Sequence, residues 1–290
     1  MKKKFIKSAK IFFSLVTLGL FGYLVFQSDI SLSWQAVQAA KPLMLILSLM
    51  LTLSVFSLLT YKWSLFLTQL KINISFKELL KIFMIGLFYG GISPGNLGIF
   101  LRLKYLSDKT GKKVSRLMPT MLVDKLIEWL VLLILCLLAL GLFLQSLINN
   151  KLLLGLGLGA VCLLIIVAVV NNQKNSRFNK QLLLKAIGLS LVGWALTVSR
   201  SYFLSQAFNI PIGFWQFSAV LVMVIAVSML PISIGGLGVR ELSLTILLGR
   251  FGVSPALVLP YLLTSYLLFK ILPMLFGWIL TIKADWRFKT

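Results

Sequence analysis

Histidine is absent from the chain, cysteine occurs twice, and only seven of 290 residues are acidic. The missing imidazole excludes histidine-based acid–base catalysis and histidine metal sites. Cys136 and Cys162 both lie inside apolar runs, where a small buried hydrophobe is the expected role rather than a disulfide or a metal pair. Charge of any sign is scarce, at 12% of residues, against roughly 25% in a soluble domain. No Walker loop, nucleophile elbow, CxxC or HExxH pattern occurs, so the commonest signatures of nucleotide, acyl-transfer and metal chemistry are missing too.

What fills the chain is apolar sequence, 59% of it. Runs near 8–27, 43–67, 118–145, 152–171, 183–205 and 256–281 reach the ~20 residues that span a bilayer. Regions 79–101 and 214–249 are apolar but interrupted. Lys and Arg together number 29, giving a net charge of +22. Nucleic-acid binding would call for a basic domain outside the membrane segments. The basic residues sit instead in the connections between apolar runs, the pattern of loops facing an anionic cytoplasmic leaflet. Lys2, Lys3, Lys4, Lys7 and Lys10 precede Ile11–Phe26, an apolar stretch longer than a signal-peptide core. The N-terminus therefore reads as an uncleaved anchor that starts in the cytoplasm.

Charge then sets the topology. With the N-terminus inside, the 28–42 loop lies outside with Lys41, and the 62–81 loop lies inside with Lys62, Lys71, Lys77 and Lys81. Arg102, Lys104, Lys109, Lys112, Lys113 and Arg116 belong inside as well. Plain crossings would place them outside. Region 79–101 is therefore expected to enter from the cytoplasm, break at Ser93-Pro94-Gly95 and return. The 172–185 connection is then inside and the 206–213 connection, which has no Lys or Arg, is outside. Region 214–249 becomes a second hairpin, entering from the opposite face and breaking across Pro231 to Gly238.

The two breaks resemble each other. Ile92-Ser93-Pro94-Gly95-Asn96-Leu97-Gly98-Ile99 and Ile232-Ser233-Ile234-Gly235-Gly236-Leu237-Gly238-Val239 share the pattern I-S-x-G-x-L-G-[IV]. Paired Gly/Pro-interrupted segments in matching halves point to a transport site. The expected fold is an all-α polytopic membrane protein of about six full spans plus two re-entrant broken hairpins. Residues 1–150 form a first repeat and residues 151–290 a second, inverted because each half crosses an odd number of times. Irregular backbone at membrane depth is tolerated only against protein or a water-filled cavity, so Ser93, Pro94, Gly95, Gly98, Pro231, Ser233, Gly235, Gly236 and Gly238 are expected to form tips that line one.

An ionisable side chain inside a span costs ~3 kcal/mol on insertion scales. Asp124 and Glu128 are spaced i, i+4 in the 118–145 span and share a face, with Lys125 beside them. Arg200 lies deep in 183–205, Lys270 near the middle of 256–281, Arg240 and Glu241 directly after the second break, and Arg102 at the end of the first. The plain role for such residues is mutual pairing that fixes helix packing, for example Arg240 with Asp124 or Glu128. As a group, the cations outnumber the carboxylates. A cavity with surplus positive charge suits an anionic group such as phosphate. Trp34, Trp63, Trp194, Trp215, Trp278 and Trp286 fall near span ends, as an interfacial aromatic belt would. Gly155, Gly157 and Gly159 read as a helix-packing face.

At these residues the chain resembles the transmembrane region of the lysylphosphatidylglycerol synthases, the multiple peptide resistance factors. Pro94-Gly95 through Gly98 and Arg102 is similar to the family's P-G-x-x-G-E-x-x-R, with Ile99 in place of the glutamate. Asp124-Lys125-Leu126-Ile127-Glu128 resembles its E-R-x-x-D, with the acids and the base exchanged for their homologues. Leu230-Pro231 through Arg240-Glu241 resembles its L-P-x-x-x-G-G-L-G-x-R-E closely. The resemblance implies movement of a lipid, often anionic or polyprenyl-linked, between leaflets. It does not imply lysyl transfer, because the soluble synthase domain is not in this sequence.

The expected protein is a lipid flippase or lipid transporter of a bacterial or archaeal cytoplasmic membrane, with both termini cytoplasmic and no cofactor. Arg102, Asp124, Lys125, Glu128, Arg200, Arg240, Glu241 and Lys270 are the candidate substrate-binding residues. Its partner would be a phospholipid or polyprenyl-linked lipid, with a second copy or a separate glycosyltransferase as protein partners and no nucleic acid. The alternatives are a membrane enzyme or an accessory subunit acting on lipid-linked sugars.

Overall fold

A computed structural model describes residues 30–144, 178–228 and 239–283, and all its regular structure is helical. The first helix, α1 (Ile30–Gln38), occupies what the sequence suggested was an external loop. Nine amphipathic residues are too few to register as a span. Its Trp34 is 62% exposed, and the helix packs against the start of the last long helix. Helix α2 (Pro42–Gln69) opens with a proline in its first turn, where no N–H is needed. Helix α3 (Phe76–Ile92) is capped by Ser75, whose Oγ accepts the Glu78 N–H at 3.4 Å.

After α3 the backbone tightens into a 3₁₀ helix, Pro94–Leu101, and resumes as α4 (Arg102–Thr110). Gly111 closes α4 in the left-handed conformation, φ +66, donating its N–H to the Ser107 carbonyl. Helix α5 (Val114–Leu144) follows. Beyond it come α6 (Lys180–Ala207), capped by Asn179, then α7 (Phe214–Ser228) and α8 (Val239–Gly249). The last helical rod is α9 (Pro255–Tyr266), a π-helical turn (Leu267–Ile271) and α10 (Leu272–Lys283). Three described helical stretches are long and apolar enough to cross a bilayer: Pro42–Gln69, Lys180–Ala207 and Pro255–Ile282. The protein is a helical, multi-pass membrane protein.

Two sets of elements run in the same order. Helices α2 and α6 are both 28 residues long and begin at positions 42 and 180, 138 residues apart. Helices α3 and α7 begin at 76 and 214, the same interval. A short helix and a long one complete each set. The pair α2 and α6 is antiparallel: the Lys41 N–H donates to the Ala207 carbonyl at 3.0 Å at one end, and Phe66 meets Phe178 edge-on at the other. The buried residues of one apolar core all fall within residues 63–121, with Leu280 of α10 packed against them. A second is built almost entirely from α6 to α9.

The chain doubles back across the 3₁₀ segment, so that Lys109 Nζ, near the end of α4, lies 3.4 Å from Glu78 Oε2 at the start of α3. Ser93 holds the reversal. Its Oγ donates to the Gly90 carbonyl at 3.0 Å and accepts the Gly98 N–H at 2.6 Å. A Cβ on Gly98 would overlap the Tyr89 carbonyl oxygen, so only glycine fits there. Between helices in lipid, close approach replaces the hydrophobic effect as the source of packing energy. Helix α10 accordingly crosses α3 at Gly277, where a Cβ would collide with the Met84 carbonyl.

Candidate functional site

The ionisable side chains inside this bundle form two groups; Lys62, Arg102, Asp124 and Glu241 are buried and the others half-buried. Lys62, three turns or fewer from the end of α2, is the hub of the first. Its Nζ lies 3.0 Å from Asp124 Oδ1, 3.0 Å from Glu128 Oε1 and 3.0 Å from Ser190 Oγ. The Glu128 and Ser190 oxygens accept hydrogen bonds. The Asp124 oxygen is close enough for an ion pair but off the line of a hydrogen bond. The i, i+4 spacing on α5 aims both carboxylates at this one ammonium, and α6 supplies the serine. Lys125 turns back to bind Glu128 Oε2 at 2.6 Å.

Arg102 completes this group at the N-terminus of α4. It is 0% exposed. Its guanidinium carbon sits 4.2 Å from the centroid of the Trp63 ring and 5.3 Å from that of Phe83, and Nη2 lies 4.0 Å from Asp124 Oδ2. None of its three nitrogens has a hydrogen-bond partner among the described residues. Stacking on Trp63 offsets part of the cost of burying the charge. A Cβ on Gly86 would press on the Arg102 side chain at 3.0 Å, so the glycine makes room for it.

The second group gathers around Arg200, whose guanidinium carbon lies 4.4 Å from the centroid of the Phe269 ring. Lys270 follows Phe269 on the π-helical turn and places Nζ 4.9 Å from the centroid of Tyr266. Such turns are frequent at functional sites. Arg240 lies within electrostatic reach of both Arg200 and Lys270, and Glu241 of Lys270 and Tyr266. Arg200 Nε and Nη1 are buried without a hydrogen-bond partner among the described residues.

The eight candidate residues thus separate into Arg102, Asp124, Lys125 and Glu128 on one side and Arg200, Arg240, Glu241 and Lys270 on the other. Asp124 finds its ion partners in Lys62 and Arg102, not in the Arg240 that the sequence suggested. Lys62 is the main correction: assigned to a cytoplasmic loop, it is a fully buried residue of α2. A signal for it existed, since Lys62 and Arg200 stand at the same 138-residue interval as Arg102 and Arg240. Trp63 is corrected too. It is fully buried, donates to Thr120 Oγ1 at 3.2 Å and supports Arg102, so it is no belt residue. Trp215, 73% exposed, keeps the surface position expected of one. Ser93 and Gly98 form the first turn, with Pro94 and Gly95 opening its 3₁₀ segment. Pro231, Ser233, Gly235, Gly236 and Gly238 lie outside the described residues, as do Cys162, Trp286 and the expected span 152–171.

Because α2 and α6 are antiparallel, Lys62 and Arg200, each seven residues from a C-terminal end, lie toward opposite ends of the pair. At 1.5 Å per residue each is ~10 Å from its end, and the two are ~20 Å apart along the axis. Among curated proteins, none matches the chain. The sequence matches the family described as lysylphosphatidylglycerol synthase TM region over residues 9–180 and 170–277. With nearly the whole chain covered, the protein belongs to that family of membrane proteins involved in lipid handling.

Proposed function

We propose that this protein carries an anionic lipid headgroup between the leaflets of the cytoplasmic membrane. The observation that supports this best is Arg200, a cation inside the bundle whose Nε and Nη1 have no hydrogen-bond partner among the described residues, with Arg240 as a charged neighbour. Two like charges so placed repel each other unless an anion joins them. Arg200, Arg240 and Lys270 would hold the headgroup. The doubled-back segment 76–110 and its counterpart 214–249 act as re-entrant hairpins from opposite faces, in an inverted repeat with about six full spans. The Arg200 group is the headgroup's station, while the Lys62 group is occupied by Asp124 and Glu128. The membrane-enzyme alternative depends on Asp124 and Glu128, and both are held by Lys62.

The test is translocation of a fluorescently labelled anionic lipid in liposomes containing the purified protein. Dithionite quenching should show the label changing leaflets, and Arg240→Ala should abolish this. Chemical conversion of the lipid without a change of leaflet would overturn the proposal. Orientation has its own check: a cysteine at Lys109 should be labelled only from the cytoplasmic side.

A further inference from the structure

The two charged groups share a frame and differ in one respect. Lys62 and Arg102 are matched, 138 residues on, by Arg200 and Arg240. In the first copy the two cations, with Lys125 beside them, face two carboxylates from the long helix α5, Asp124 and Glu128. In the second copy the corresponding rod, Pro255–Lys283, has no Asp or Glu anywhere. At the same interval Asp124 and Glu128 fall on Leu262 and Tyr266. The rod adds a cation instead, Lys270, which the π-helical turn carries in beside Phe269. Glu241 is the carboxylate within electrostatic reach of this group. Among the described residues, three cations and one carboxylate give this group a net charge of +2, against +1 for Lys62, Arg102 and Lys125 with Asp124 and Glu128.

We infer that the group held by Arg200, Arg240 and Lys270 is a dianionic phosphate, a monoester or a diphosphate rather than a phosphodiester. It takes the place that Asp124 and Glu128 occupy in the first copy. This rests on the transport function proposed above. A phosphodiester brings one negative charge against this net charge of +2. A monoester, with its second ionisation near pH 6, brings two above that pH and offers three terminal oxygens as acceptors. Arginine forks suit such oxygens, and a lysine contributes a point charge. Lys270 lies near the middle of a 28-residue helix, ~20 Å from either end. A lipid monoester therefore reaches the site from within the membrane, whereas free phosphate has to arrive through water.

The test uses the full chain in phosphatidylcholine liposomes at pH 8, with labelled phosphatidic acid as the monoester and labelled phosphatidylglycerol as the diester. Phosphatidic acid should change leaflets at least about tenfold faster, a modest share of what one extra matched charge gives in a low-dielectric site. Tyr266→Glu, which restores a carboxylate to the second copy, should remove that preference while the thermal unfolding midpoint is kept. If that variant does not fold, Lys270→Gln serves instead and should bring the ratio of the two rates close to one. Translocation of phosphatidylglycerol as fast as phosphatidic acid overturns the dianion inference and leaves the transport proposal standing. If millimolar inorganic phosphate raises the unfolding midpoint while neither lipid moves, the dianion chemistry holds with a soluble source and lipid transport falls. If neither lipid moves and neither they nor phosphate shift the midpoint, both fall.

Discussion

Lys62 and Arg200 sit at matching places on antiparallel helices of equal length. Lys62 is well met, with hydrogen bonds to Glu128 and Ser190 and an ion pair to Asp124, all at 3.0 Å. Arg200 has a ring against its face and two donors unused among the described residues. One scaffold thus carries charge in two ways. In the first copy the protein supplies the counter-ions, and the network joins α2, α5 and α6 in a fixed arrangement. In the second, among the described residues, it supplies one carboxylate, Glu241, for three cations. A buried ion pair is a poor source of stability compared with apolar packing, but removing one partner from it is costly. The comparison therefore predicts opposite responses to the same kind of substitution.

The largest effect should come from Lys62→Met. It leaves Asp124 and Glu128 buried with only Arg102 and Lys125 nearby, and unpaired buried charge costs about 3–5 kcal/mol. The thermal unfolding midpoint in detergent should fall sharply. Arg200→Met removes a cation that has no carboxylate on it among the described residues, so the midpoint should hold or rise while lipid translocation is lost. Equal destabilisation by both would show that the two copies do the same job.

Why the sequence hid Lys62 follows from its place. It stands where α2 outlasts its most apolar stretch, next to three lysines that do lie at the surface or in turns. A basic residue at the edge of an apolar run looks like the start of a loop. Only the long-range pairing with Ser190 and the α5 carboxylates shows otherwise, and a lone serine in a helix carries no signal of its own. Helix limits were more legible. The runs 43–67 and 183–205 lie within Pro42–Gln69 and Lys180–Ala207, because continuous apolarity over that length has one structural outcome in lipid. The Asp124–Glu128 face was legible from spacing alone. What it faces was not, since helix periodicity fixes a side and says nothing of the neighbour.

A smaller effect should separate the two breaks. Gly98→Ala puts a methyl group onto the Tyr89 carbonyl and against Ser93 Oγ, and overpacking of this kind costs about 1–3 kcal/mol. Gly238 stands at the equivalent place in the second motif. If the second break is built the same way, Gly238→Ala should lower the unfolding midpoint by a similar amount. A neutral Gly238→Ala would mean that the two tips share a pattern but not a turn.

The smallest predicted effect lies at the surface, where the copies also differ. Glu78 binds Lys81 on its own helix at 2.8 Å and ties the legs of the first hairpin through Lys109 at 3.4 Å, and its counterpart at the 138-residue interval is the uncharged Gln216. The hydrogen bond from Lys81, with the charge of Lys109 adding to it, holds the Glu78 carboxyl below its ordinary value. A depressed carboxylate stabilises the fold above its unfolded value, near pH 4, and loses that contribution as the pH falls through the folded value. Glu78→Gln makes the first copy resemble the second. As an exposed pair it should cost only a few tenths of a kcal/mol at neutral pH, less at high salt and nothing in strong acid. Unfolding midpoints measured at pH 7 and pH 3 would check this. A loss that persists at pH 3 would mean that Glu78 supports the hairpin by packing rather than by charge.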